Sequence, residues 1–388
     1  MSKSIHVLHV LNSAHGGSAI STLQLIEELK KRQIKSSLVC FDNATEQQKE
    51  SVSSLVEGRV LFIPLYWMSK RTRVKWWKRP LVEALNVWKT WKGYKFQRKI
   101  GDLILLNEVN IVHTSTIVNP EGAIAAKRNN LPHVWHVREL IGPNTYYSFP
   151  QFQSWISFVE SHANFLIANS QTTAKNLLAY FQQAKVKCIP NGIDTGRYKV
   201  KAHQTKDVLV IAMVGNVTSR LKNHEFFIRT AAHFRSVSNL HFRIYGALPG
   251  EADPYYSNLK GVVAQLALGE RISFMGHVPS ESIMADIDIL FHPTGQESFG
   301  RIFIEAMAGG IPILAVDDGG AVELVRNGIN GFRVPENNTQ EATLTLTKMI
   351  DSCDLRDELG RNGRDIVERE YTLNVVADNL SSLYRSLI

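Results

Sequence analysis

Short apolar runs alternate with amphipathic stretches along nearly the whole chain. In the first half, IHVLHVL (5–11), SSLVCF (36–41), RVLFIPL (59–65), NIVHTS (110–115), HVWHV (133–137), FLIAN (165–169) and VKCIP (186–190) read as strands. Between most of them lie helical patterns, such as 18–31 with Ile20, Leu23, Leu25, Ile26 and Leu29. The second half repeats this grammar with VLVIAMVG (208–215), HFRIYG (241–246), RISFMG (271–276), IDILFHP (287–293) and IPILAVD (311–317). Short, nearly continuous apolar strands separated by helices imply parallel sheets covered on both faces. A polar, weakly periodic stretch at 191–207 marks a seam. The pattern therefore predicts two doubly wound α/β domains. In such folds ligands sit at the carboxyl ends of the strands, and a crevice between two domains is the default site.

The bulk numbers agree. A chain of 388 residues is natural for two domains. Cys40, Cys188 and Cys353 are far apart without a CxxC pair, which argues against a zinc site or a disulfide framework and fits a reducing compartment. The first apolar run is too short and interrupted for a signal peptide and reads as a strand. There is no run of 18 apolar residues, the length a membrane span needs. Charge is uneven. Residues 66–99 carry eleven Lys/Arg and one acid, an excess of 11 − 1 = +10, which leaves 8 − 10 = −2 for the rest. Five of the seven tryptophans lie in the same segment.

Four places carry candidate chemistry. The first is QESFGRIFIEAMAGG (296–310), where Phe299, Ile302, Phe303, Ala306 and Met307 form an apolar stripe at helical spacing. The loop before it offers the amides of Ser298, Phe299 and Gly300 at a helix start, a ready anion site. Glu297 and Glu305 stand on either side. The plain alternative is a helix dipole partner at Glu297 and an Arg301–Glu305 ion pair worth a few tenths of a kcal/mol. The second place is Gly16-Gly17, which lets backbone approach a ligand or simply makes a turn; it is not GxGxxG, so a dinucleotide reading is poor. The third is the loop with Arg220 and Lys222, a diphosphate clamp or a solvated loop. The fourth is His136, closing an apolar strand before Arg138 and Glu139, either a substrate contact or a satisfied core histidine.

Together these features resemble the retaining glycosyltransferases of the GT-B fold, family 4. The most specific element is Glu-x7-Glu, ESFGRIFIE here, supported by IPNGID (189–194), GNVTSRLKN (215–223) and DDGGAVELVRNGINGFRV (317–334). The resemblance implies an amino-terminal acceptor-side Rossmann-like domain over 1–195. It further implies a nucleotide-sugar domain over 196–370 and a last helix over 371–388 packing back on the first domain. It assigns Gly16 and Gly17 to the donor diphosphate and acceptor. Arg220 and Lys222 would neutralise the leaving diphosphate, and the Ser298, Phe299 and Gly300 loop would bind the same phosphates. Glu305 would hold ribose hydroxyls, Glu297 the transferred sugar, and His136 its 6-position. His277 and Val278 would lie against the nucleobase. His136, Glu297, Arg220 and Lys222 form the catalytic set, with no metal and no cofactor beyond the nucleotide-diphosphate sugar. The base expected is uracil ahead of guanine. Asn216 stands where many members carry an arginine, and Arg220 is the expected replacement.

The basic segment joins Lys/Arg to tryptophan, the composition of an interfacial anchor. Trp76, Trp77, Lys78, Arg79, Trp88 and Trp91 are its candidate membrane-surface residues. A solvated helix with packed tryptophans is the alternative, and single-stranded nucleic acid a lesser one that the overall reading excludes. The expectation is a cytoplasmic enzyme, peripheral on the inner face of the cell membrane. It would transfer sugar to a lipid-linked or glycan acceptor, as in cell-surface polysaccharide synthesis. A nucleotide-sugar epimerase of the same fold and a non-catalytic partner subunit are the alternatives. The sequence says nothing of oligomeric state.

Overall fold

The computed structural model describes residues 4–13, 17–41, 45–63, 96–142, 152–201, 208–218 and 220–388. The chain forms two compact units, Met1–Gly192 with Leu373–Ile388, and Ile193–Thr372.

The first unit is built on a seven-stranded sheet in the order β3-β2-β1-β4-β5-β6-β7. The strands are β1 (His6–Leu11), β2 (Lys35–Phe41), β3 (Val60–Ile63), β4 (Ile111–Ser115), β5 (His133–Val137), β6 (Phe165–Ala168) and β7 (Val186–Cys188). Every pairing is parallel. Its helices are α1 (Gly17–Lys31), α2 (Glu46–Ser54), α3 (described over 96–106), α4 (Glu121–Arg128), α5 (Phe152–His162), α6 (Gln171–Leu178) and α14 (Leu373–Arg385). The chain order reverses between β1 and β4, so the switch point lies there.

All residues of β1, β4 and β5 are buried, because helices cover both faces. On one face Val7, Ile111 and Val134 pack under Leu25 and Leu29 of α1 and Val376 and Leu380 of α14. On the other, Val10 and Val112 pack under Ile100 and Ile104 of α3 and Ala125 of α4. Two residues further along each strand on the first face stand His9, His113 and His136. This polar row changes the face of α1. Ile20, expected in its apolar stripe, is 46% exposed, while Ser21 and Thr22 are buried. Thr22 Oγ1 meets Ser115 Oγ of β4 at 3.2 Å. Helix α14 is tied to α1 through Arg32, which donates to Asp378 at 2.8 Å and to the Asn374 carbonyl at 2.9 Å.

The second unit is a six-stranded parallel sheet in the order β10-β9-β8-β11-β12-β13. The strands are β8 (Leu209–Val214), β9 (Leu240–Tyr245), β10 (Ile272–Gly276), β11 (Ile289–His292), β12 (Ile313–Val316) and β13 (Gly331–Val334). The helices are α7 (His224–Ala231), α8 (Pro254–Gln265), α9 (Ser280–Asp286), α10 (Arg301–Ala308), α11 (Ala321–Leu324), α12 (Thr339–Asp351) and α13 (Cys353–Glu370). Phe226, Phe227, Leu259 and Leu346 from α7, α8 and α12 fill one side of the sheet. Met284, Phe303, Met307 and Val367 from α9, α10 and α13 fill the other. Of the stripe expected on α10, Phe303, Ala306 and Met307, with Phe299 just before the helix, are at 1% exposure or less, while Ile302 is half-buried. Here the switch point lies between β8 and β11. Among the described residues no helix is long and apolar enough to cross a membrane.

Candidate active site

The two loops that the sequence singles out leave adjacent strands of the second unit, β8 and β11, at its switch point. After β8 the chain turns at Gly215 and runs to Lys222. Close packing requires this glycine, since a Cβ there would lie 2.9 Å from Lys222 Cγ. Asn216 acts locally, its Oδ1 accepting the Ala247 amide at 3.0 Å and pinning the loop after β8 to the loop after β9. Lys222 is fixed through its carbonyl, which accepts Thr294 Oγ1 at 3.3 Å. Arg220 extends over the Tyr255 ring, 5.2 Å from its centroid. Its side chain is exposed and Lys222 is half-buried.

After β11 the chain passes His292 and Gln296 to Glu297. Lys222 Nζ donates to Glu297 Oε2 at 2.9 Å. His292 Nε2 lies 3.7 Å from the same oxygen, beyond hydrogen-bond length but within strong electrostatic reach. Burial alone would raise the Glu297 carboxyl; the His292 ring and the Lys222 ammonium outweigh it and hold it well below the usual carboxylate range. Burial likewise depresses His292, against the pull of Glu297. Glu297 is therefore a fixed anion at neutral pH, and Lys222 retains two further N–H donors.

The loop itself is held by backbone contact with the Gly319-Gly320 turn. Gly320 N donates to the Glu297 carbonyl at 2.7 Å. Gly319 has φ +58, and a Cβ on it would lie 2.7 Å from the Glu297 amide nitrogen. Only glycine allows that approach. Gly300 (φ +80) caps α10, and its carbonyl accepts the Phe303 amide at 2.9 Å. The amides of Phe299 and Gly300 meet no acceptor among the described residues.

Glu305 lies one turn into α10. Arg301 Nε donates to its Oε1 at 2.9 Å, so the ion pair weighed as the plain alternative is formed. Its other oxygen accepts Ser280 Oγ, from the start of α9, at 2.7 Å. Tyr198 OH donates to Ser280 Oγ at 3.4 Å. Burial and the charge of Glu305 raise the Tyr198 hydroxyl far above its ordinary value, so it stays a donor. A carboxylate offers about four lone-pair sites. Glu305 is oriented by two partners and keeps capacity for two more hydroxyls. Ser280, Tyr198 and His292 were not singled out from the sequence. His292 closes β11 as His136 closes β5, and that signal was readable.

The other expected positions divide. His277 is exposed and Val278 half-buried on the loop after β10, where Val278 packs against the α9–α10 core. Gly17 is the first residue of α1. Gly16 lies outside the described residues, as do Trp76, Trp77, Lys78, Arg79, Trp88 and Trp91. His136, in the first unit, is fully buried, and neither ring nitrogen has a hydrogen-bond partner among the described residues. His136 lines a pocket with Ser21, Leu25, Arg138, Asn191 and Gly192. Arg138 donates there to Asn191 and, at 3.3 Å, to Thr22 Oγ1. Burial, then the Arg138 charge, keep His136 neutral. Beside it, burial pushes Glu139 up to about 7.

Comparison with known proteins agrees with this fold. The family described as Glycosyltransferase Family 4 matches residues 15–197, and Glycosyl transferases group 1 matches residues 195–366. A capsular polysaccharide biosynthesis glycosyltransferase, CapM of Staphylococcus aureus, is 25% identical over 198 residues, 50% of this chain and 51% of that protein. A D-inositol 3-phosphate glycosyltransferase of Actinosynnema mirum is 28% identical over 222 residues, 53% of each. The chain thus spans about half the length of the curated relatives it matches. The Anabaena protein Alr3699/HepE, solved in complex with UDP and glucose, superimposes with a TM-score of 0.78 at 20% identity, covering 99% of this chain and 100% of that one. With two parallel-sheet units and these matches, the chain has the GT-B fold and carries a glycosyltransferase family 4 domain followed by a glycosyl transferases group 1 domain.

Proposed function

We infer that the protein transfers a sugar, with retention and without a metal, from a nucleotide-diphosphate sugar to a lipid-linked or glycan acceptor. The observation that carries this reading is the pair of carboxylates around the start of α10, each held by its own partners. Glu297 is fixed by Lys222 and Glu305 by Arg301 and Ser280. In this reading Glu305 accepts from the ribose hydroxyls and Glu297 from the sugar hydroxyls. The Ser298, Phe299 and Gly300 loop, with Lys222 and Arg220, takes the diphosphate. The bond from the anomeric carbon to the phosphate oxygen breaks as the bond to the acceptor oxygen forms on the same face. The acceptor proton passes to the departing phosphate. Glu297, paired with Lys222, stabilises charge near the sugar and is not the nucleophile. His136 meets a hydroxyl of the transferred sugar, and His277 and Val278 border the base.

UDP is the expected nucleotide ahead of GDP, supported by the UDP bound in the Anabaena neighbour. Isothermal titration with UDP and GDP tests this: saturable binding of UDP is expected, and no binding of either would overturn the reading. The basic tryptophan-rich segment (66–99) supports docking on an anionic membrane surface, on its cytoplasmic side. Co-sedimentation with vesicles is expected to rise with anionic lipid content. Substituting Trp76, Trp77, Lys78 and Arg79 with alanine should abolish it, and pelleting indifferent to both would refute the docking.

A further inference from the structure

Unit 1 places three imidazoles side by side in its core. His9 and His113 are register partners on β1 and β4. Their ring centroids are 5.4 Å apart, and His113 stands 5.4 Å from His136, tilted by 42°. All three are 1% exposed or less. The neighbouring apolar rows of the same face are filled by Val7, Ile111 and Val134, so burial alone does not demand histidine here. Burial, followed by the charges of neighbouring groups, keeps all three rings neutral.

The row is anchored at one ring. Tyr384 OH, from α14, meets His113 Nδ1 at 2.5 Å, with the two rings edge to face. Tyr384 is fully buried and keeps its proton, since burial raises its hydroxyl well above the ordinary value. The phenol both donates and accepts, so the bond to Nδ1 forms with either tautomer, and it fixes the ring plane of His113. His136 has no hydrogen bond of its own among the described residues, so what sets its ring is the surface it packs on, and that surface includes His113.

We propose that Tyr384 and His113 are positioning residues for His136: the carboxyl-terminal helix fixes His113, and His113 fixes the ring plane that His136 presents to its pocket. This rests on the reading that His136 meets the transferred sugar. It gives α14 a role beyond closing the core, because removal of one oxygen on that helix reaches a substrate contact on β5.

The test uses the full chain labelled with 15N-histidine, with His136 assigned from the resonances lost in His136→Gln. In the wild-type protein His136 is expected to give one sharp set of ring resonances. In Tyr384→Phe, which keeps the ring and removes the hydroxyl, those resonances should shift and broaden as the ring plane loosens. His113→Phe, which keeps a ring without nitrogen, should do the same. Ser381→Ala lies in α14 and removes a hydrogen bond within that helix, to the Ala377 carbonyl at 2.6 Å. It should leave His136 unmoved. With UDP-glucose as probe, Tyr384→Phe should lower kcat for UDP release roughly fivefold at nearly constant KM. Unmoved His136 resonances in either folded variant, or equal movement in Ser381→Ala, overturn the positioning. Wild-type UDP release by His136→Ala instead overturns the role given to His136.

Discussion

Glu297 and Glu305 differ by their neighbours. Glu297 sits against Lys222 and His292, while Glu305 sits against Arg301 and Ser280. Because the folded carboxyl of Glu297 lies below its ordinary value of 4.5, it adds stability above that pH. The gain is lost as pH falls through the folded value. Lys222→Met removes one of the two groups holding it down. The variant should therefore raise the Glu297 titration, which 13C-carboxyl NMR reads directly; an unmoved titration would contradict the pairing. Gly319→Ala tests the loop's support. The position combines φ +58 with a Cβ that would lie 2.7 Å from the Glu297 amide nitrogen. A loss of about 2 kcal/mol is expected, with weaker UDP binding. Wild-type melting and affinity together would show that the close approach is dispensable.

Among the elements of the first unit, β1, β4 and β5 gather the buried rings that oppose protonation in the fold. Burial lowers His9 and His133 to about 3 and holds His113 and His136 well below 6.5. Above pH 6.5 folded and unfolded forms hold equal protons at these rings. Below it the unfolded chain binds more, so stability falls with pH. Glu121 and Glu139 act oppositely, since burial raises both to about 7 and the folded form gains their protons first. His6 on β1 is lowered by burial as well, so five rings against two carboxyls leave stability falling as pH drops from 6 to 5. Hydrogen exchange at β4 and β5 amides should accelerate accordingly, and His113→Gln should flatten the slope. Exchange independent of pH, after correction for its intrinsic rate, would contradict this. Arg32→Ala should loosen α14 by about 1–2 kcal/mol through the lost bonds to Asp378 and Asn374. That loss is readable as faster exchange in α14 alone.

At the scale of the whole chain, strands and helices were legible because both sheets bury both faces, so each strand is a short apolar run. Glu297 and Lys222 were legible as candidates because they lie in loops next to strand ends in sequence, and Glu305 because it follows Glu297 by eight residues, inside α10. Ser280 and Tyr198 were not, since their value comes only from the fold bringing α9 beside α10. Ile20 was misplaced because an apolar stripe assumes an apolar floor, and the floor under that part of α1 is the polar row of His113, Ser115 and His136. The histidine row was hidden for the same reason: in a fully buried strand, period two marks faces but not which face tolerates imidazole.

The central claim is that the carboxylate pair and Lys222 hold a nucleotide sugar. It is tested most directly by a hydrolysis screen across UDP- and GDP-sugars, with Glu305→Ala and Lys222→Ala beside the wild-type chain. The account predicts turnover of a UDP-sugar and at least a tenfold loss in each variant, about 1.4 kcal/mol of transition-state stabilisation. Wild-type rates in both variants would contradict it.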